Sequence, residues 1–295
     1  MPSAPITTVS VLGCGLMGSG IAQVCATAGY TTLVRDVDES ALARGRASVE
    51  KSLGKLVEKA KLSREQRDAA VAHLTYTTDL TTLAGADLII EAITEDLAVK
   101  NRLWVELDRL CGPRAIFASN TSSLPIESMA SATRRPDRFV GLHFFNPVPL
   151  MPLVEVVRAE TTSAETFERS LAFARSLGKE TVVAKDTPGF LVNLLLVPYL
   201  LDAVRALERG VGTIPDIDTA MRLGCGYPMG PFTLLDVVGI DTTLRIADIM
   251  AAAYQDPRYA APDLLRRLVA EGRYGRKAGK GFYDYGVDPP IPLPA

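Results

Sequence analysis

Apolar residues in the first half of the chain gather into short unbroken runs, separated by longer stretches in which they recur every three or four positions. Thr8–Leu12 (TVSVL), Thr31–Asp36 (TTLVRD), Asp87–Glu91 (DLIIE) and Ala115–Ser119 (AIFAS) are such runs. Short apolar segments of this kind between turn residues predict strands buried on both faces. Helical periodicity fills the gaps, from about Ser19 to Ala28 and from Ala98 to Leu110. Strands alternating with helices predict βαβ units, and so an α/β architecture with a mostly parallel sheet covered on both sides. One stretch breaks the rhythm. Residues 39–72 are long, charged and helical, with Leu53, Leu56 and Val57 on one side, which suits a helical hairpin standing off the sheet.

Past Asp186 the pattern changes. TPGFLVNLLLVPYLLDAVRALERG opens on Pro-Gly and continues as one long apolar helix ending at Gly210. IPDIDTAMRLG, PFTLLDVVGIDTTLRIADIMAAAY and APDLLRRLVAEG add further helices, and no strand is visible among them. The chain therefore divides into residues 1–186 and an all-helical domain, residues 187–295. Leu195, Leu196, Val197, Leu200 and Leu201 exceed what one amphipathic face needs. That excess fits either the central helix of a bundle or the interface of a homodimer. The closing DPPIPLPA reads as disordered.

Composition narrows the function. A formal net charge of −2 over 295 residues gives no basic face for nucleic acid. No apolar run approaches the roughly 20 residues that span a bilayer, and the N-terminal segment lacks a charged leader. The four cysteines (Cys14, Cys25, Cys111, Cys225) are scattered without ligand spacing, as expected of reduced thiols in a cytoplasmic protein. With two histidines far apart, no metal site is expected.

Gly13-Cys14-Gly15-Leu16-Met17-Gly18 is a GxGxxG between the first strand and its helix, and Asp36 ends the next strand. The first glycine permits the turn, the second admits a pyrophosphate, and the third lets helix pack on strand. The carboxylate at Asp36 suits the ribose hydroxyls of NAD and repels the 2′-phosphate of NADP, although Arg35 beside it leaves some tolerance for NADP. The motif makes the first domain a doubly wound, Rossmann-type sheet binding NAD. Ligands in such sheets lie at the carboxyl ends of the strands. There the chain offers EAITED (Glu91–Asp96) and the hydroxyl-rich SNTSSL (Ser119–Leu124), residues that also serve as turns and helix caps.

GLHFFNPVPLMPLVEVV (Gly141–Val157) carries His143, with Glu155 twelve residues later across an Asn-Pro turn. Together with FASNTSSL, DTPGFLVN, YPMGPF and GRKAGKGFYDY, these motifs resemble the L-3-hydroxyacyl-CoA dehydrogenases. They match in order and over nearly the whole chain, nearest the single-function 3-hydroxybutyryl-CoA type. The resemblance implies NAD-dependent, reversible oxidation of an (S)-3-hydroxyacyl-CoA, with 3-hydroxybutyryl-CoA as the expected substrate in fatty-acid β-oxidation. It makes His143 the general base, Glu155 its partner, Ser122 a donor to the reacting oxygen and Asn193 a donor to the substrate carbonyls. Glu95, Lys100, Asn120, Ser122 and Asn146 match positions lining the nicotinamide and ribose. Lys277 matches a lysine near the cofactor, or belongs to a solvated basic loop. Ser52 and Lys59 fall in the region that holds coenzyme A, or lie on a solvated helix face. The family usually places arginine after the asparagine of PGFLVN, where this chain has Leu194. Two alternatives stay open: a β-hydroxyacid dehydrogenase acting on a free acid, and a non-catalytic dinucleotide-binding protein.

Overall fold

In a computed structural model, which describes residues 5–294, the chain forms β1 (Thr8–Leu12), α1 (Leu16–Thr27), β2 (Thr31–Arg35), α2 (Glu39–Glu58), α3 (Arg64–Ala72), β3 (Leu74–Thr77), β4 (Leu88–Glu91) and α4 (Leu97–Leu110). These are followed by β5 (Ile116–Ser119), α5 (Ile126–Ala130), β6 (Phe139–Phe144), β7 (Leu153–Arg158), α6 (Ala164–Ser176) and β8 (Glu180–Lys185). The strands build one sheet in the order β3-β2-β1-β4-β5-β6-β7-β8. Every pairing is parallel except β6 with β7. The doubly wound expectation is met.

The order reverses at β1, between β2 and β4, which is where a ligand crevice opens in such sheets. Pairing aligns Leu12 with Arg35 and Glu91, Glu91 with Ser119, and Ser119 with Gly141. The segments that follow Leu12, Arg35, Glu91 and Ser119 therefore leave the sheet along one edge, while β6 runs on past Gly141 to His143 and Phe144. Val9, Val11, Leu88, Ile90, Ile116, Ala118, Val140 and Leu142 join Ile21 and Phe173 in the core around the sheet.

Boundaries differ from expectation by a few residues. α1 begins at Leu16 rather than Ser19, so Leu16, Met17 and Gly18 form its first turn. The helical hairpin is present as α2, capped by Asp38, and α3, capped by a reciprocal Ser63–Gln66 pair. Its helices close a small core of Val49, Leu53 and Ala70, and both pack on α1. Among the elements absent from the pattern reading, β3 and β8 are the two edges of the sheet, and their half-exposed residues never form an apolar run.

The chain divides into two units, Met1–Thr187 and Pro188–Ala295. The second holds α7 (Val192–Glu208), α8 (Ile214–Gly224), α9 (Pro231–Val238), α10 (Ile240–Tyr254) and α11 (Asp263–Ala270) around Val197, Leu200, Leu201, Phe232, Met250 and Phe282. The helical expectation is met with one small addition, and the expectation of a disordered tail fails. The unit is helical but not wholly so, because β9 (Tyr283–Asp284) and β10 (Ile291–Pro292) pair antiparallel. For the same reason the tail is ordered through Pro294: Leu293 N–H donates to Phe282 O at 2.9 Å, and Arg273 donates to Pro294 O at 2.9 Å.

A buried carboxylate clamps this segment. Asp236 on α9, 1% exposed, accepts the amides of Phe282 and Tyr283, each at 2.9 Å, and the Tyr285 hydroxyl at 3.0 Å. Burial outweighs these bonds and raises its pKa above the usual aspartate range. Asp236→Ala strands three donors, and is expected to cost about 3 kcal/mol. Urea denaturation checks the magnitude, and faster exchange of the Phe282 and Tyr283 amides checks the cause.

Candidate active site

The glycine turn sits at the topological switch. Gly13 has φ +92°, and a Cβ added there would come within 2.5 Å of Ala92 O. A Cβ on Gly18 would lie 1.8 Å from Gly13 O, so only glycine lets α1 close on the turn. Gly15 differs: an added Cβ would meet nothing within 4 Å. The fold itself leaves room there. Gly15 is also the N-cap of α1, with no side-chain cap and no acidic residue in the first turn. The leading N–H groups and the positive end of the helix dipole thus face that room, the environment a pyrophosphate requires. Leu16 is exposed and Met17 half-buried beside it.

Asp36 follows β2 at the same edge. Its carboxylate accepts Cys14 N–H at 2.7 Å and Val37 N–H at 2.8 Å, which orient it beside the turn while leaving lone pairs for further donors. Arg35 points its Nε to Thr78 O at 3.3 Å. The residues present therefore fit a dinucleotide.

After β4 and β5 comes a buried electrostatic cluster. Lys100, 1% exposed, donates to Glu91 at 2.5 Å and stands 3.2 Å from Glu95. Glu91, wholly buried, also accepts Ser119 Oγ at 2.7 Å and Ile93 N–H at 2.8 Å. Glu95 accepts the Thr121 hydroxyl, Ser122 N–H at 3.1 Å and Ser123 Oγ at 3.1 Å. Burial alone would raise the Glu95 carboxyl, but the Lys100 ammonium and these donors hold it below the usual range. Glu91 and Thr121 lie in the EAITED and SNTSSL segments expected at the strand ends, but the pattern assigns neither a role of its own. A carboxylate ending a strand carries no signal of its own until the Lys100 position on α4 is known.

Asn120 accepts Phe144 N–H at 2.9 Å through its side-chain oxygen, tying the end of β5 to β6. Ser122 is half-buried, and among the described residues its hydroxyl has no hydrogen-bond partner. On the β6–β7 hairpin, His143 and Glu155 are direct cross-strand neighbours. Nδ1 of His143 lies 2.6 Å from Oε2 of Glu155, with Glu155 wholly buried and the imidazole 8% exposed. An ionised carboxylate only accepts, so Nδ1 keeps its hydrogen and Nε2 carries the basic lone pair. The Phe145 ring stands 4.5 Å from the imidazole.

The other candidates sit in elements of their own. Asn146 is exposed in the turn after β6. Ser52, half-buried, and Lys59, exposed at the end of α2, are seven residues apart, two turns along one helix face. In the second unit, Asn193 is half-buried in the first turn of α7. Lys277 is paired with Asp241 at 2.6 Å and is half-exposed. Among the described residues no group of His, Cys, Asp and Glu is placed to hold a metal ion, and no helix is long and apolar enough to cross a membrane.

Comparison with known proteins agrees over both units. The model of the 3-hydroxyacyl-CoA dehydrogenase NAD-binding domain matches residues 8–187, and that of the family's C-terminal domain matches residues 189–285. Human mitochondrial hydroxyacyl-coenzyme A dehydrogenase is 50% identical, covering 94% of this chain and 90% of its own length. The solved structure of Mycobacterium tuberculosis FadB2 superposes with a TM-score of 0.94 at 48% identity, over 96% of this chain and all of that one. (S)-3-hydroxybutyryl-CoA dehydrogenase PaaH1 from Ralstonia eutropha gives 0.91 at 40% identity, over 95% of this chain and 99% of that one.

Two predictions follow from the local geometry. Gly15→Ala should leave the melting temperature unchanged yet weaken NAD binding at least about tenfold, whereas Gly18→Ala should destabilise the fold itself, by about 1–3 kcal/mol; calorimetry and titration separate the two. Because the folded Glu95 binds its proton less tightly than the unfolded chain does, its contribution to stability is present at neutral pH. That contribution is lost as pH falls from the ordinary glutamate value of 4.5 toward its lower folded value. Melting temperatures in that window should therefore fall more steeply for the native protein than for Glu95→Gln.

Proposed function

We propose that this chain, which belongs to the 3-hydroxyacyl-CoA dehydrogenase family, catalyses the NAD-dependent, reversible oxidation of an (S)-3-hydroxyacyl-CoA to the 3-ketoacyl-CoA. 3-Hydroxybutyryl-CoA is the assigned substrate. The observation that carries the reading is the His143–Glu155 pair at 2.6 Å, in the same sheet as a glycine turn fitted to a dinucleotide.

Oxidising a secondary alcohol needs a base for the hydroxyl proton and an acceptor for the hydride. NAD supplies the hydride acceptor when bound. His143 takes the proton at Nε2, the ring nitrogen that keeps a lone pair when Nδ1 donates to Glu155. Glu155 fixes the tautomer and stabilises the imidazolium that forms. The Ser122 hydroxyl donates to the reacting oxygen as charge develops there, and the Asn193 amide is assigned to the substrate carbonyls. Gly13, Gly15, Leu16, Met17 and Gly18 hold the pyrophosphate, and Asp36 the ribose. Glu95, Asn120, Asn146 and Lys277 are assigned to the rest of the cofactor, with Lys100 acting from behind Glu95. Ser52 and Lys59 are assigned to coenzyme A, whose remote binding energy positions the reacting carbon.

Two further assignments have support of their own. Leu195 on α7 is 68% exposed, with Leu191 at 42% nearby, an apolar surface that a homodimer would cover. All four cysteines are unpaired, three of them buried, in keeping with a reducing cytoplasm.

His143→Gln and Glu155→Gln are each expected to lower kcat about a hundredfold. NADH absorbance should rise with 3-hydroxybutyryl-CoA and stay flat with free 3-hydroxybutyrate. Turnover of the free acid alone would instead make this a β-hydroxyacid dehydrogenase.

A further inference from the structure

Lys179 is a buried cation without a use in the chemistry above. It follows α6, is 8% exposed, and its Nζ donates to Val148 O at 2.6 Å and Met151 O at 2.8 Å. Among the described residues no carboxylate pairs with it, and burial lowers its pKa from the usual lysine value. Burying an ammonium without a counter-charge is costly. The two carbonyls that receive it belong to residues 145–152, the turn joining the His143 strand to the Glu155 strand.

That turn is gripped from other directions as well. Glu180 N–H donates to Pro152 O at 2.8 Å. A Cβ added to Gly20 would stand 2.9 Å from the Val148 Cβ and 3.6 Å from Pro149 Cδ, so α1, the helix leading out of the glycine turn, lies directly against it. The turn is thus wedged between the dinucleotide helix and the start of β8. Two carbonyls converging on one donor suit an ammonium, whose charge-assisted hydrogen bonds are stronger and less easily exchanged than those of a neutral amide.

We propose that Lys179 is a positioning residue: by holding the Val148 and Met151 carbonyls it fixes the β6–β7 turn against α1, and so sets where the His143–Glu155 pair stands. The role rests on the reading of that pair as the base and its partner. A displacement of about 1 Å at such a base costs up to about a hundredfold in rate.

Lys179→Met keeps the length of the side chain while removing donors and charge, and Lys179→Arg restores both. The expected result for Lys179→Met is a kcat on 3-hydroxybutyryl-CoA lowered about tenfold to a hundredfold, with KM within about threefold of the native value. The far-downfield proton resonance of the His143–Glu155 hydrogen bond should move, and the Leu150 and Met151 amides should exchange faster. Lys179→Arg should return all of these most of the way. An unchanged kcat with an unmoved resonance would overturn the proposal, as would a lowered kcat with the resonance unmoved, which marks mere loss of folded protein. Should Lys179→Met fail to fold, Lys179→Gln, neutral but still a donor, is read by the same criteria. A native protein inactive on the thioester would sink the proposed reaction alone, because the resonance and amide exchange still decide what Lys179 does.

Discussion

A single reversal of strand direction organises the chemistry. In a parallel pair, residues twelve apart on adjacent strands do not come to face one another, since the connection must cross back over the sheet. β6 and β7 run antiparallel, and a short turn brings Glu155 directly opposite His143. Both side chains then stand on one face at cross-strand distance, with their backbones fixed by the ladder. The 2.6 Å bond between them thus rests on two interior strands, sixth and seventh in an eight-stranded sheet, a stiffer mount than a loop would provide. Everything assigned to the base, its tautomer and its orientation, depends on that pairing.

A second layer of order comes from charge rather than from backbone. Glu91, Lys100 and Glu95 place two carboxylates and one ammonium in a buried space at the ends of β4 and β5. Such a cluster contributes little to stability by itself, because desolvation offsets much of the attraction. What it adds is definition. Each carboxylate also takes backbone or hydroxyl donors from the neighbouring loop, so the Ser119–Leu124 segment has few alternative arrangements that leave every group satisfied.

The amino-acid pattern disclosed the parts of this design that are local or periodic. Buried strands appear as apolar runs, the glycine turn as three glycines at fixed spacing, and the hairpin pair as a histidine and a glutamate separated by an Asn-Pro turn. Edge strands escaped, since β3 and β8 are only half-buried. So did β10, two residues long and containing Pro292, whose pairing depends on the distant clamp at Asp236. Long-range polar partnerships were equally silent. Nothing near Lys179 in the chain marks it as a donor to Val148 and Met151, and Glu91 looks like any strand-end carboxylate until α4 is folded back beside it.

The α2–α3 hairpin has a private core of only three fully buried side chains, Val49, Leu53 and Ala70, while the sheet beside it is sealed by more than twenty. Cooperative units open at a cost that follows the apolar surface they bury. The arm's own core is therefore the weaker seal, and its place beside the sheet rests on the packing of both helices against α1 and on Leu42, which α2 contributes to the main core.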